Sequence, residues 1–230
     1  MNRLILIETS TVLCSTAIAE DGRIICEKIS DEPRAHASLT AKFVSDMLKE
    51  NGLKVDDCDA VAVSEGPGSY TGLRVGVSTA KGLCFGAGIP LIAIGTLDTL
   101  AWQAVDNGLV PEGCEYIVPM IDARRMEVYT GVFTTDGRQV SPTTATIVTG
   151  DSFSEWLDKG PVLFIGDGAR KCEGTINHPD AVFAPLAPKA SGMVRPATEA
   201  LKERRFKDVA YFEPFYLKEF VTTVSKKKLF

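Results

Sequence analysis

The first thirty residues alternate between short hydrophobic stretches and polar turns. Residues 4–8, 15–19 and 23–29 are rich in apolar and β-branched side chains, and Asp21 and Gly22 form a two-residue hairpin signal between the last two. This pattern predicts that the chain begins with three antiparallel strands.

Helical spacing of hydrophobic residues follows. Residues 37–51 and 70–86 each place apolar side chains three or four positions apart, and Gly52 is a typical C-terminal stop for the first segment. We therefore predict two amphipathic helices in this part of the chain.

Weaker patterns indicate further elements. Short apolar runs at 61–63 and 91–94 predict buried strands, and a third predicted helix begins at Thr96. Two more helices are expected at 152–157 and within 189–205, although Pro196 interrupts the second.

The second half of the chain repeats the first. Residues 111–113, Pro-Glu-Gly, mark a boundary, so we place one lobe at 1–108 and another at 109–230. Each half carries an acidic strand end, a D-G-R hairpin and a glycine loop: Glu8 and Asp122, residues 21–23 and 136–138, residues 66–68 and 166–168. This order predicts a duplicated α/β protein of the actin-like ATPase fold (ASKHA, ribonuclease-H-like), with a mixed five-stranded sheet and flanking helices in each lobe.

Composition narrows the location and the chemistry. Apolar runs are far shorter than the roughly 20 residues of a membrane-spanning helix, and no signal peptide is evident, so we expect a cytoplasmic protein without membrane contact. The six cysteines form no C-x-x-C pair and predict buried free thiols. Because His36 and His178 are far apart and outside any His/Cys/carboxylate cluster, we predict no intrinsic metal site.

The formal net charge of −5 argues against a surface that attracts a polyanion. Residues 202–207 and Lys226-Lys227-Lys228 are locally basic. We interpret them as a solvated helix face and an exposed terminus rather than as an independent nucleic-acid-binding patch.

Three segments have the composition of phosphate-binding loops, because glycine lets backbone N–H groups approach an anion. The candidates for a nucleotide site are Thr9, Ser10, Gly66, Gly68, Ser69, Gly72, Asp122, Gly166 and Gly168. The strongest loop, residues 66–72, precedes a predicted helix and lacks the lysine of a Walker motif. A tight strand-to-helix turn explains the same glycines equally well.

Catalytic patterns are scarce. No Ser/His/Asp order or G-x-S-x-G elbow occurs, which disfavours a peptidase. Glu8 and Asp122 are acidic strand ends of the kind that hold Mg²⁺ in kinases, so a small kinase or ATPase remains an alternative. We favour structural roles: Glu8 caps the first hairpin, and residues 122–125 form a turn with an internal ion pair.

The segment GPGSYTGLRVG at 66–76 resembles the signature of the TsaB (YeaZ) family, which belongs to the glycoprotease-like group and acts in tRNA threonylcarbamoyladenosine biosynthesis. Residues 7–10, 34–37, 122–129 and 213–218 fit the same family. The departures are Ala37 and Met126, where family members more often have serine and glycine.

The resemblance implies a non-catalytic dimerisation and scaffold subunit. Its complex adds threonylcarbamoyl to the adenosine next to the anticodon in tRNAs that read ANN codons. The subunit is expected to pair with and activate the metal-dependent paralogue TsaD, whose H-x-x-x-H histidines hold the metal; here Thr40 stands four residues after His36. A TsaE ATPase docks on the pair, tRNA binds through the complex, and the isolated subunit forms a homodimer. No intrinsic cofactor is expected, and ATP or ADP is expected at the interface with the partner.

In the family the two subunits join through their first two helices. Carried over to this chain, the expected interface consists of His36, Phe43, Val44, Met47, Leu48, Leu73, Val77, Ala80 and Cys84.

Overall fold

Two five-stranded sheets organise the protein. A computed structural model describes residues 2–218, and within them the first sheet has the order β3-β2-β1-β4-β5. Its strands are β1 (Arg3–Glu8), β2 (Cys14–Glu20), β3 (Arg23–Ser30), β4 (Ala60–Gly66) and β5 (Leu91–Gly95). The first three strands are antiparallel, and β1, β4 and β5 run parallel. The predicted opening meander is confirmed.

Helices cover one face of this sheet. They are α1 (His36–Glu50) and α2 (Tyr70–Ala87), while α3 (Thr96–Asp106) follows β5. Ile5 and Ile7 of β1 pack against Met47 of α1 and Val77 of α2. The apolar stripes that predicted these helices are therefore the sides that face the sheet.

The second sheet repeats the first. Its order is β10-β9-β6-β7-β8. The strands and short helices are β6 (Tyr116–Asp122), β7 (Glu127–Thr134), β8 (Gln139–Ile147), α4 (Ser154–Leu157), β9 (Val162–Ile165), α5 (Ala169–Cys172) and β10 (Ala181–Ala184). Again three antiparallel strands are followed by two parallel ones, with β9 beside β6 and β10 beside β9. The duplicated α/β architecture with a mixed five-stranded sheet in each lobe is confirmed.

The two lobes exchange helices across the boundary. Leu100 of α3 packs on the second sheet with Ile121 and Phe133, although α3 precedes that sheet in sequence. Conversely, Met193 and α6 (Val194–Lys202) cover the first sheet beside Leu4 and Leu6. The predicted lobe boundary between residues 108 and 109 places α6 in the second lobe by chain order. In the structure, however, α6 packs against the sheet of the first lobe.

Proline positions explain two differences from the expected elements. Residues 189–205 form a 3₁₀ turn, Ala190–Met193, followed by α6, because Pro196 is tolerated in the first turn, where its missing N–H has no helical acceptor. Strand β8 was not predicted, since Pro142 interrupts its pattern; the strand lies at a sheet edge, where proline is accepted.

The six cysteine thiols are free, and Cys26 is the least buried of them. Among residues 2–218, none of the helices has the length and apolar character that a membrane crossing demands. The basic run Lys226-Lys227-Lys228 lies outside the described residues, whereas residues 202–205 at the end of α6 are mostly exposed, as expected for a solvated face.

Candidate functional site

A cleft of about 1060 Å³ separates the two lobes. The first lobe contributes the turn after β1, the start of α1 and the loop before α2. The second lobe contributes the end of β6 and the turn after β9, and residues 215–218 close one side. The three candidate phosphate-loop segments were expected to lie between the lobes, and residues of each line the cleft: Ser10 and Thr11, residues 67–72, and Asp167.

The glycine loop before α2 is packed tightly against the turn after β1. The amide of Ser69 donates to the carbonyl oxygen of Ser10 at 2.6 Å. A Cβ atom on Gly68 would overlap the Ser10 backbone, and one on Gly72 would overlap the carbonyl oxygen of Thr9. The Ser69 hydroxyl also accepts the Gly72 amide at 3.3 Å and caps the helix. These contacts favour the tight-turn interpretation of the glycines.

The glycine loop of the second lobe is filled in the same way. The Gly168 amide donates to the carbonyl oxygen of Met120 at 3.0 Å, and a Cβ atom on Gly166 would overlap that same oxygen. In both loops the space left by the missing side chains is therefore occupied by backbone atoms of the same chain.

The nine nucleotide-site candidates divide into two groups. Ser10, Gly68, Ser69, Gly72 and Asp122 line the cleft. Thr9, Gly66, Gly166 and Gly168 lie behind its surface, packed against neighbouring backbone or side-chain atoms.

The two acidic strand ends have different environments. Glu8 is fully buried, its Oε1 accepts the Ser10 amide at 2.7 Å, and burial raises the pKa of its carboxyl group. It holds the hairpin turn, in keeping with the structural role expected for it. Asp122 is exposed in the cleft and forms an ion pair with Lys171. Glu8 and Asp122 therefore do not present two carboxylates to a common cation. The predicted ion pair within residues 122–125 was wrong, because the Asp122 carboxylate pairs with Lys171 instead.

His36 and Thr40 do not fit a metal. His36 Nε2 donates to the carbonyl oxygen of Thr11 at 3.0 Å. The Thr40 hydroxyl is buried and donates to the carbonyl oxygen of His36 at 2.7 Å. Within residues 2–218, no group of three or more His, Cys, Asp or Glu side chains has a metal-binding arrangement.

Charged residues outside the nine nucleotide-site candidates also line the cleft. Arg34 and Arg124 both adopt the left-handed conformation, with φ of 65° and 70°. Asp167 Oδ1 accepts the Asp122 amide at 3.0 Å, and burial raises the pKa of the Asp167 carboxyl group.

The C-terminal segment crosses the mouth of the cleft. The Phe215 amide donates to the carbonyl oxygen of Glu65 at 2.7 Å, and the ring of Tyr216 packs at a tilt against that of Tyr70, with centroids 4.8 Å apart. Lys218 then forms an ion pair with Glu127 of the second lobe. This segment therefore links both lobes.

The expected partner interface requires a correction. Seven of its nine residues belong to the core beneath the helices and are not surface: Val44, Met47, Leu48, Leu73, Val77, Ala80 and Cys84. Phe43 is partly buried, and His36 lines the cleft. Periodicity identified the apolar stripes correctly, but those stripes face this chain's own sheet.

The side of α2 that points away from the sheet is exposed and carries several small residues, and Ala41 of α1 is exposed as well. We call Ala41, Ser78, Gly82, Phe85 and Gly86 the outer helix face. Phe85 is 85% exposed, and a Cβ atom on Gly82 or Gly86 would meet no atom within 4 Å. Packing within the chain therefore does not require either glycine.

Together, the repeated sheets and the interlobe cleft define a protein of the actin-like ATPase fold. The fold comparison agrees: the solved structure of YeaZ from Pseudomonas aeruginosa superimposes with a TM-score of 0.83 at 28% identity, over 94% of this chain and 100% of that one. The family model described as TsaD, tRNA N6-adenosine threonylcarbamoyltransferase, matches residues 23–221.

Sequence relatives identify the family more closely. The chain is 30% identical to the tRNA threonylcarbamoyladenosine biosynthesis protein TsaB of Escherichia coli K12, over 99% of this chain and 98% of the relative. It is also 30% identical to the TsaB of Bacillus subtilis 168, over 94% and 93%. The chain belongs to the TsaB (YeaZ) family.

Proposed function

We propose that this chain is a non-catalytic subunit in the synthesis of threonylcarbamoyladenosine in tRNA, and that it pairs with and activates a TsaD-type paralogue. Its similarity to the tRNA threonylcarbamoyladenosine biosynthesis proteins TsaB of Escherichia coli and Bacillus subtilis supports a role in this pathway. The observation that carries the pairing is the outer helix face, where an exposed phenylalanine lies among glycines that the chain itself does not need.

Energetics support a docking role for this face. A glycine inside a helix costs about 1 kcal/mol relative to alanine, and Gly82 and Gly86 lie within α2 without an intrachain contact in return. Small residues let a second helix approach closely, and Phe85 supplies an apolar anchor. A paralogue of the same fold presents the equivalent helices, so the two pairs form a helical bundle. A homodimer of the isolated chain uses the same face.

The proposal leaves catalysis to the partner. Thr40 and the engaged His36 replace the metal-binding histidine pair expected of the paralogue. Because the glycine loops are filled by the chain's own backbone, we place ATP or ADP at the interface with the partner, with TsaE docking on the pair and tRNA binding through the complex. The kinase, ATPase and peptidase alternatives have no support in the site, since Glu8 is buried and His36 Nε2 is occupied.

Co-purification with the TsaD-type partner tests the interface. Phe85→Asp places a charge at the centre of the outer helix face and should weaken partner binding at least about tenfold without changing the melting temperature. The matched control is Ile147→Asp, which alters a residue that is 69% exposed on the other lobe and should bind normally. Equal binding by both variants would refute this interface.

Charges at Val77 or Ala80 do not provide this test. Both side chains are buried against the sheet, so such variants should unfold the first lobe rather than report on the partner.

A further inference from the structure

A second cavity, of about 260 Å³, lies on the second lobe between β7, β8 and α4. No described residue lines both this cavity and the interlobe cleft. Its volume is slightly below the range of about 300–1,000 Å³ that is typical of sites for drug-sized ligands. It therefore suits a single side chain or a small molecule.

An unsatisfied hydroxyl group forms part of the cavity wall. Thr130 of β7 is only 2% exposed, and its Oγ1 has no hydrogen-bond partner among the described residues. Thr130 lies two residues from both Val128 and Val132, so the three side chains share one face of the strand. Because the two valines pack with Leu157 of α4, the Thr130 side chain lies on the α4 side of the sheet. A buried hydroxyl without a partner costs about 1–3 kcal/mol, which a ligand donor in the cavity offsets.

An irregularity in the sheet creates the space beside this hydroxyl. The pairing of β7 with β8 shifts register between Thr130 and Val132, opposite Ser141 and Thr144. Bulges of this kind re-aim side chains and interrupt pairing next to functional sites. Gly131 lies at the shift, and a Cβ atom there would come within 3.2 Å of the Ser141 carbonyl oxygen.

The chemistry of the wall selects a cation. Two carboxylates, Asp151 and Glu155, line the cavity, and no Lys, Arg or His residue does so within the described chain. Further oxygen acceptors come from the hydroxyl groups of Ser141, Thr144, Thr146 and Ser154. The Asp151 carboxylate forms no ion pair with any described residue. Glu155 is already paired with Lys159, so Asp151 is the lining carboxylate that disfavours an anionic ligand and attracts a cation.

The aromatic residues of the wall fit the same ligand. Phe153 and Trp156 line the cavity and supply flat apolar surface. The Lys159 ammonium group lies 4.3 Å from the centroid of the Trp156 ring and forms an ion pair with Glu155, so the counter-charge for a ligand comes from Asp151. Acceptors spread around a small volume match the planar fork of N–H donors in a guanidinium group better than a compact ammonium ion.

We propose that this cavity binds an alkyl guanidinium group, with Asp151 providing the counter-charge and Thr130 accepting a hydrogen bond. The source is an arginine side chain of another protein or a free guanidine, and the chemistry of recognition is the same for both. The proposal is independent of the role of the outer helix face, because the two sites share no residue.

Titration of the full chain followed by amide NMR tests the proposal. N-acetyl-arginine methylamide should give saturable shifts at Thr130 and Gly131, whereas its neutral isostere, N-acetyl-citrulline methylamide, should give none. Ethylguanidinium forms the second arm: shifts of similar affinity identify a site for free guanidines, and much weaker binding identifies a site for a protein arginine.

Two variants and two matched controls complete the design. Asp151→Asn and Thr130→Val should each weaken binding of the arginine probe by about fivefold or more. Glu173→Gln alters an exposed carboxylate of the same lobe, and Thr16→Val removes another buried hydroxyl without a partner, in the first lobe; both should bind like the wild type. Equal shifts with arginine and citrulline, or unchanged binding by both cavity variants, would overturn the proposal.

Discussion

Burial decides the chemistry of several individual carboxyl groups. Glu8, Asp98 and Asp167 all have pKa values raised chiefly by desolvation, because a charged carboxylate loses its hydration inside the protein. For Asp98, in the first turn of α3, the pKa rises to about 6, and the nearby charge of Glu65 acts in the same direction.

Asp98 makes stability depend on pH. Between the unfolded pKa of 3.8 and the folded pKa of about 6, the folded protein binds more protons than the unfolded chain, so the free energy of unfolding falls as pH rises. A shift of about two units corresponds to about 3 kcal/mol at most. Asp98→Asn removes this dependence and should be more stable than the wild type at pH 7.5, by about 1–3 kcal/mol, with a smaller gap at pH 4.5.

Urea unfolding of wild type and Asp98→Asn at both pH values measures that gap. Because Glu8 and Asp167 are present in both proteins, the difference between them isolates Asp98. A gap of the same size at pH 4.5 and pH 7.5 would contradict the assignment.

Helix α2 carries glycines for two different reasons. Gly72 faces inward, where the carbonyl oxygen of Thr9 occupies the space of a Cβ atom. Gly82 faces outward into open space. The N-terminal end of α2 thus packs against the turn after β1, whereas its C-terminal half leaves room for a second helix to approach closely.

Alanine at these two positions should have opposite effects. Gly72→Ala should lower the free energy of unfolding by about 1–3 kcal/mol, because the added methyl group overpacks the turn after β1. Gly82→Ala should raise it by about 0.5–1 kcal/mol through helix propensity, while weakening partner binding. Chemical denaturation and a pull-down with the partner measure both; stabilisation by Gly72→Ala would refute the close packing.

Helices and strands with clear hydrophobic periodicity were predictable from the sequence, but the surfaces against which they pack were not. The spacing of Leu73, Val77 and Ala80 predicts α2 correctly, but the same spacing does not reveal whether the stripe faces a sheet or another subunit. Exposure supplies that distinction, which is why Phe85 and Gly82 emerged only from the structure.

The cleft depends on contacts between residues distant in sequence. Duplicated motifs placed the acidic ends and glycine loops near one another, and five of the nine candidates do line the cleft. Arg34, Arg124 and Tyr216 reach it through loop conformations and a returning C-terminal segment that no local pattern specifies.

The whole molecule is a duplicated body whose lobes are tied together. Helices α3 and α6 each pack on the sheet of the other half, and the ion pair of Lys218 with Glu127 links the C-terminal segment to the second lobe. Such cross-packing joins the two halves into one body, which is compatible with the proposed role as a scaffold for a partner. This agrees with glycine loops filled by the chain's own backbone.

Reconstitution tests the central proposal most directly. ATP, threonine, bicarbonate and unmodified tRNA are combined with this chain alone, with its TsaD-type and TsaE-type partners alone, or with all of them, and the modified nucleoside is measured by mass spectrometry. We predict product only when this chain and the partners are present together, and its loss with Phe85→Asp. Product formed by this chain alone, or in equal amount by the partners without it, would contradict a non-catalytic activating subunit.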